Sequence, residues 1–328
     1  MLATAGLAVA LAMAAVTTSA AATATPATPS IRYVDVSVAT VWVSPASPRP
    51  IDRPALANPV NLAAWNRSLT TPARLGLVGR VQTQALLGDA VRVLARRGAW
   101  TRVAVLDQPT PLNRAGYPGW VPTRQLRADP GFGRRLAGLV AVVTQPTARL
   151  RLAHSSLQVS FGTRLPVLAD ADGEVRVATP SRASAQLPAT AVRVSGSGLD
   201  VAIPTGGQIV ATARRFLGVR YLWGGTSAFG FDCSGLVNLV YRTDGLVIPR
   251  DADAQARAGR PVARDALAPG DLVFFATDPP SRAVTHVALY AGHGRLIQAP
   301  DSAGSVQVVA LSALAGEYVT ARRYLPGG

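Results

Sequence analysis

The chain has 328 residues, 48% of them hydrophobic, and carries 33 Lys and Arg against 18 Asp and Glu, a formal net charge of +15. That length allows two or three compact domains, and that apolar content excludes a chain disordered throughout. A single cysteine excludes an internal disulfide, and the charge favours anionic surroundings, although Arg-rich codon bias gives the same balance with no partner.

The N-terminal run from Leu2 to Val16 is apolar and resembles the hydrophobic region of a signal peptide, followed by small-residue cleavage sites at Thr18–Ala22. It is short for a membrane span, and no Lys or Arg precedes it. Export is expected, with a retained anchor or a floppy Ala-rich tail as alternatives. Thr23–Ser30, rich in Pro, Thr and Ala, reads as a linker, so residues 1–30 form a signal and linker segment.

From Ile31 the apolar residues alternate in short runs broken by Pro and Gly. YVDVSVATVWV (33–43), AVRVLARRGAWTRVAV (90–105) and GYPGWVP (116–122) predict strands of a small barrel over 31–128, with a helical stretch at Asn61–Leu69. VTQPTARLRLA (143–153), SFGTRLPVLAD (160–170), GEVRVATP (173–180) and TAVRVS (190–195) predict a second small barrel over 129–200.

Near Gly206 the pattern changes, opening a third domain over 201–328. GGQIVATARRFLG (206–218) predicts a helix with Ile209, Ala213, Phe216 and Leu217 on one face, stopped by Gly218. A second helix is expected from Cys233: Cys233, Leu236, Val237, Val240 and Tyr241 share a face, Asp232 caps it and Gly245 ends it. Strands follow at 270–276, 285–292, 294–300, 305–311 and 318–325. Helices followed by antiparallel strands make an α+β domain.

Cys233 lies on the apolar stripe of its helix, which alone favours core packing. Three features favour chemistry instead. The residue opens a helix, where partial positive charge favours a thiolate. Gly224, Gly225, Gly230 and Gly235 surround it, as suits close approach of a ligand. A histidine is also available as base. Of the three histidines, His154 and His293 fall in polar turns, whereas His286 opens an apolar strand. If the following hairpin turns at Ala291–His293, His286 pairs directly with Gln298 on the same face. The expected chemistry is then attack by Cys233 on a carbonyl, proton transfer by His286, ring orientation by Gln298, and an oxyanion held by the Cys233 backbone N–H.

The runs RYLWGGTSAFGFDCSGLV, IPRDADAQA, LAPGDLVFF, THVALYAG, GRLIQAP and GSVQVV resemble an NlpC/P60 peptidase domain, over about Ala211–Leu325. The resemblance implies a pared-down papain-like fold that cleaves peptidoglycan stem peptides, with the nucleophile at Cys233 and the base at His286. The family's third residue, most often His, matches Gln298, and its tyrosine near the sulfur matches Tyr221. SVATVWVSP, LANPVNLAAWNRSLT, LVGRVQTQALLGDAV and GYPGWVP resemble the first bacterial SH3-like domain of the γ-D-glutamyl-L-diamino acid endopeptidases. In these enzymes the first of two such barrels narrows the cleft and helps recognise a free amino terminus. The resemblance implies a tyrosine for that amine at Tyr117, and it sets neutral Gln82 where an acid is expected. Asp232 and Asp251 remain as negative charges near the cleft, and Ser234 is placed to hold the D-glutamyl carboxylate.

The expectation is an exported, monomeric cysteine peptidase of three domains: two all-β SH3-like barrels and an α+β papain-like domain. Its partners are peptidoglycan-derived peptides and, from the charge, anionic cell-wall polymers, with no nucleic acid. It needs no metal and no organic cofactor. An amidase or acyltransferase on the same scaffold, or a wall-binding protein with a silent catalytic domain, are the alternatives.

Overall fold

The computed structural model describes residues 25–26, 30–181, 183–196 and 203–326. The expected signal segment therefore lies outside the described residues. Within the expected linker, Thr25–Pro26 pairs with Arg96 and Ala95 of the first barrel.

Three large antiparallel sheets follow one another along the chain, with a two-stranded one, Thr226–Ser227 and Gly230–Phe231, before the last. The first runs, edge to edge, through Val81–Leu86, Val38–Trp42, Tyr117–Pro122, Trp100–Val105, Ala90–Arg97, Ile31–Val34 and Leu126–Arg127. The run 33–43 forms two strands with a break at 35–37, and the run 90–105 is a hairpin. Between Trp42 and Val81 the chain folds into short helices, Arg53–Leu56, Leu62–Ser68 and Thr71–Leu75. The middle one is capped by the Asn61 side chain, which accepts from the Ala64 N–H at 2.9 Å. Trp65 of this insertion packs on Trp42, with ring centroids 6.2 Å apart.

The second sheet has seven strands, from Val140–Val143 to Val192–Ser195, around a core that includes Leu150, Val159, Leu165, Val175 and Leu187. The third sheet orders Arg260–Pro261, Tyr318–Arg323, Leu272–Phe275, His286–Gly292, Arg295–Gln298 and Gln307–Ala310. Against it pack the helices Gly206–Arg214, Cys233–Thr243 and Ala252–Arg257. The first of these ends three residues before the last position of its predicted apolar face, so Leu217 lies beyond it, 44% exposed. Gly218 then takes φ +85°. Two small barrels followed by an α+β domain is thus the architecture, as the sequence predicts.

One apolar cluster runs across all three units. Trp42, Trp65 and Trp120 of the first barrel join Phe161 of the second and Phe216, Phe231 and Cys233 of the third in a single cluster. Phe161 meets Phe216 edge to face at 5.2 Å, and Phe216 meets Phe231 at 5.0 Å. Polar groups cross the same boundary. Arg242, in the last turn of Cys233–Thr243, reaches Asp89 of the first barrel at 3.0 Å, with both side chains buried.

The hairpin carrying His286 differs from the register expected above. Leu289 pairs with Ile297 and Tyr290 with Leu296, two residues from that register, and an irregularity follows between Tyr290 and Gly292. The physical reason is the turn, where Gly292, His293 and Gly294 take φ of +86°, +51° and +65°. His286 and Gln298 are therefore diagonal neighbours and not a direct pair. An even offset keeps both on one face.

Candidate active site

The helix Cys233–Thr243 is buried along its whole length, and its cap is built for that position. Asp232 has extended backbone, and its Oδ1 accepts from the Gly235 N–H at 2.6 Å. A Cβ on Gly235 would come within 2.0 Å of the Gly225 carbonyl oxygen. Glycine there lets the chain at Gly225 pass against the first turn of the helix.

Cys233 is 9% exposed and lines a cleft of about 460 Å³. Its helix packs against the strand His286–Gly292, and the backbone N–H groups of Val287 and Ser234 favour its thiolate. Burial, and then the Asp232 carboxylate, push the thiol up to about 12, while Val287 N–H, Arg250 and Ser234 N–H pull the other way.

His286 is 8% exposed, and burial lowers its pKa below the ordinary imidazole value of 6.5, against the raising effect of its bond to Gln298. Its Nε2 lies 2.7 Å from Gln298 Oε1. A carbonyl oxygen can only accept, so with Oε1 turned to the ring Nε2 carries the proton. Nδ1 is left unprotonated. His154 and His293 are both exposed.

Tyr221 is buried, and its hydroxyl titrates far above its usual range because of burial and then the neighbouring Cys233 and Asp232. Its backbone is held on both sides: the N–H donates to Gly304 O at 3.0 Å, and the carbonyl accepts from Arg74 Nη1 at 2.7 Å. Arg74 comes from the helical insertion of the first barrel. It is a fully buried guanidinium held by carbonyl groups, and burial lowers its pKa to about 10.

The opposite wall is shared between domains. Tyr117 OH donates to Asp251 Oδ2 at 2.8 Å, joining the first barrel to the third domain. Burial raises the pKa of Asp251, against Arg250 and the Tyr117 bond. Gln82 lines the same cleft, as does Asp253, which the sequence reading did not single out. Ser234 and Asp232 line it too, but Asp232 is not a free anion. Arg250 Nη1 and Nη2 close on its two oxygens at 3.1 and 2.7 Å. The negative charge facing the cleft from the expected set is therefore that of Asp251.

Arg250 is the main polar residue that sequence reasoning missed; it stands one position before Asp251 in IPRDADAQA. A carboxylate capping a helix with a broad apolar stripe needs a counter-charge once buried, and that requirement was the one available signal. Gln84 was missed as well. Its Oε1 accepts from Ser227 Oγ at 2.9 Å and its backbone carbonyl from Thr226 Oγ1 at 2.9 Å, seaming the first barrel to the chain before Cys233. Among the described residues no group of three or more His, Cys, Asp or Glu has a metal-holding arrangement, and no helix is long and apolar enough to cross a membrane.

Comparison with known proteins accounts for all three domains. Family models match as Bacterial dipeptidyl-peptidase Sh3 domain over residues 79–126, YKFC SH3b2 domain over 143–194 and NlpC/P60 family over 218–324. The chain is 42% identical over 302 residues to a gamma-D-glutamyl-L-lysine dipeptidyl-peptidase of Bacillus cereus, covering 90% of this chain and 91% of that protein. It is 36% identical over 280 residues to a protein of the same description from Bacillus subtilis, covering 84% and 92%. The crystal structure of an NlpC/P60 family protein from Bacillus cereus superposes with a TM-score of 0.89 at 42% identity, covering 90% of this chain and all of that one (100%). With a match that spans the barrels and the α+β domain together, the chain belongs to the NlpC/P60 family of cysteine peptidases and carries two SH3-type domains ahead of its catalytic domain.

Proposed function

We propose that the protein hydrolyses the bond between the γ-carboxyl of D-glutamate and the following diamino acid in peptidoglycan-derived peptides, with a free N-terminal L-alanine. The carrying observation is the arrangement at the cleft floor. Cys233 opens a buried helix against the strand start of His286, and His286 is oriented by Gln298 at 2.7 Å. Relatives covered nearly end to end are described as gamma-D-glutamyl-L-lysine dipeptidyl-peptidases, which supports this choice of bond.

A raised thiol beside a lowered imidazole makes the resting pair neutral. Proton transfer then accompanies attack. His286 Nδ1 takes the proton as Cys233 Sγ bonds to the γ-carbonyl carbon, and the carbonyl electrons move to oxygen. The backbone N–H of Cys233, first in its helix and without an intrahelical acceptor, donates to that oxyanion. Collapse breaks the C–N bond, and His286 returns the proton to the leaving amine. Water, giving a proton to His286, hydrolyses the thioester, and the same proton restores the thiol.

Asp251 and Tyr117 form the proposed seat for the substrate's ammonium, with Asp253 adding charge and Gln82 a neutral acceptor. Tyr221 borders the thiol, Ser234 faces the glutamyl carboxylate, and Asp232 holds the helix start. The apolar N-terminal run is proposed to direct export to the cell wall, where the excess of basic residues suits anionic polymers. The protein is proposed to act as a monomer. Incubation with L-Ala-γ-D-Glu-diaminopimelate and mass spectrometry tests the bond. L-Ala-D-Glu and free diaminopimelate are expected; release of L-alanine, or no turnover, rejects it. The lysine peptide run in parallel reads the preference for the third residue.

A further inference from the structure

We propose that Arg250 is a positioning residue through which the first barrel sets the geometry of Cys233. This rests on the reading of Cys233 as the nucleophile. The observation is one guanidinium that holds both residues flanking the cysteine and is itself held by another domain. Its Nη1 reaches Asp232 Oδ1 at 3.1 Å and Ser234 Oγ at 2.8 Å, and its Nη2 reaches Asp232 Oδ2 at 2.7 Å. Its Nε donates to Thr83 Oγ1, in strand Val81–Leu86 of the first barrel, at 2.9 Å.

Thr83 is prepared for that role. Its hydroxyl donates to Gln108 Oε1 at 2.6 Å, which turns its lone pairs toward Arg250, and Gln108 Nε2 donates to Gln84 O at 2.7 Å. The Arg250 backbone is anchored on the same barrel, with its N–H on Pro109 O at 3.0 Å. Arg250 is 1% exposed, so no water competes for these donors. Asp232, gripped by the fork, caps the Cys233 helix through Gly235 and also accepts from the Gly224 N–H at 2.9 Å. Displacing the barrel therefore displaces the fork, the cap and the sulfur together. Other cations cross this boundary without touching Asp232 or Ser234: Arg242 binds Asp89, and Arg74 binds the Tyr221 carbonyl.

The test uses the full chain and its single cysteine, so that iodoacetamide reads Cys233 alone. Thr83→Val keeps the shape and removes the acceptor for Nε. It is expected to lower kcat about 10-fold with KM little changed, and to slow alkylation in parallel, as misplacement of a reacting group does. Thr83→Ser restores both. Arg250→Lys keeps the charge but cannot form the fork, and is expected to lose about 100-fold in kcat. Parental kcat and alkylation rate in folded Thr83→Val overturn the proposal, whatever Arg250→Lys does. Turnover that survives Cys233→Ala overturns the nucleophile reading instead, so the two failures are separable.

Discussion

His286 and Gln298 meet at 2.7 Å across a hairpin whose register sets them diagonally, two residues from direct pairing. The glutamine's length spans that diagonal, and its oxygen fixes the ring without bringing a charge. Gln298→Ala should lower kcat about 10-fold, whereas His286→Ala removes the base and should cost about two to four orders of magnitude. Gln298→His is expected to be tolerated. Steady-state rates on one tripeptide decide this, and a Gln298→Ala enzyme equal to the parent across pH ends the orienting role.

The neutral resting pair has a pH signature. Burial holds His286 below 6.5, so the acid limb of kcat/KM should fall below that value. Gln298→Glu sets a carboxylate against the ring and should move the limb upward. Folding follows the same signs. An imidazole depressed in the folded state contributes stability above 6.5, lost as pH falls further. The thiol, raised from its ordinary 9.0 to about 12, contributes stability below 9.0 that is lost as pH rises toward 12. Thermal unfolding of the parent and of Cys233→Ala, compared between about pH 8 and 11, should converge as pH rises. A constant difference rejects the raised thiol.

The joint between the first barrel and the catalytic helix rests partly on Asp89 and Arg242, 3.0 Å apart with side chains 5% and 4% exposed. Asp89→Asn leaves a buried cation without its partner and should destabilise by about 3–5 kcal/mol. Replacing both members together, by Asp89→Leu with Arg242→Met, should cost less. Urea midpoints of the three chains check the order. A single variant as stable as the parent shows that the pair is not what holds this joint.

The elements legible in the sequence are those with a local signature. Cys233–Thr243 announced itself by an apolar stripe, a capping Asp232 and Gly245, which takes φ +83°. The strands of both barrels followed from alternation and turn residues. Ala252–Arg257, six residues long, is too short to show a period, and Arg53–Leu56 and Thr71–Leu75 are shorter still. The register of the His286 hairpin depends on a bulge that apolar patterning does not encode. Parity alone was readable, and parity was enough to set Gln298 on the face of His286. Arg250 was not readable as a partner of Asp232, because its contacts join positions 83, 232, 234 and 250 from two domains.

The charge of the cleft decides how it reads an amine. Asp232 is neutralised by Arg250, which leaves Asp251 and Asp253 as the carboxylates facing the space beside Tyr117. Asp251 is the more buried of the two, and it accepts from Tyr117 at 2.8 Å with one oxygen, so the other is available to a ligand cation. Asp253 is half exposed and shares its charge with Arg257 at 2.7 Å, which screens it. Asp251→Asn should therefore raise KM for L-Ala-γ-D-Glu-diaminopimelate at least about 10-fold, since a desolvated charge-assisted bond exceeds the ~1.4 kcal/mol that a tenfold change requires. Asp253→Asn should raise it less, and Gln82→Glu should lower it by adding a carboxylate where a neutral amide stands. The N-acetylated peptide, having no ammonium, should be a poor substrate for the parent and should be insensitive to all three changes. Equal rates on free and acetylated peptides, or equal sensitivity of both to Asp251→Asn, would show that the cleft does not read the amine, and faster digestion of intact sacculi than of free peptide would point to a wall-remodelling hydrolase.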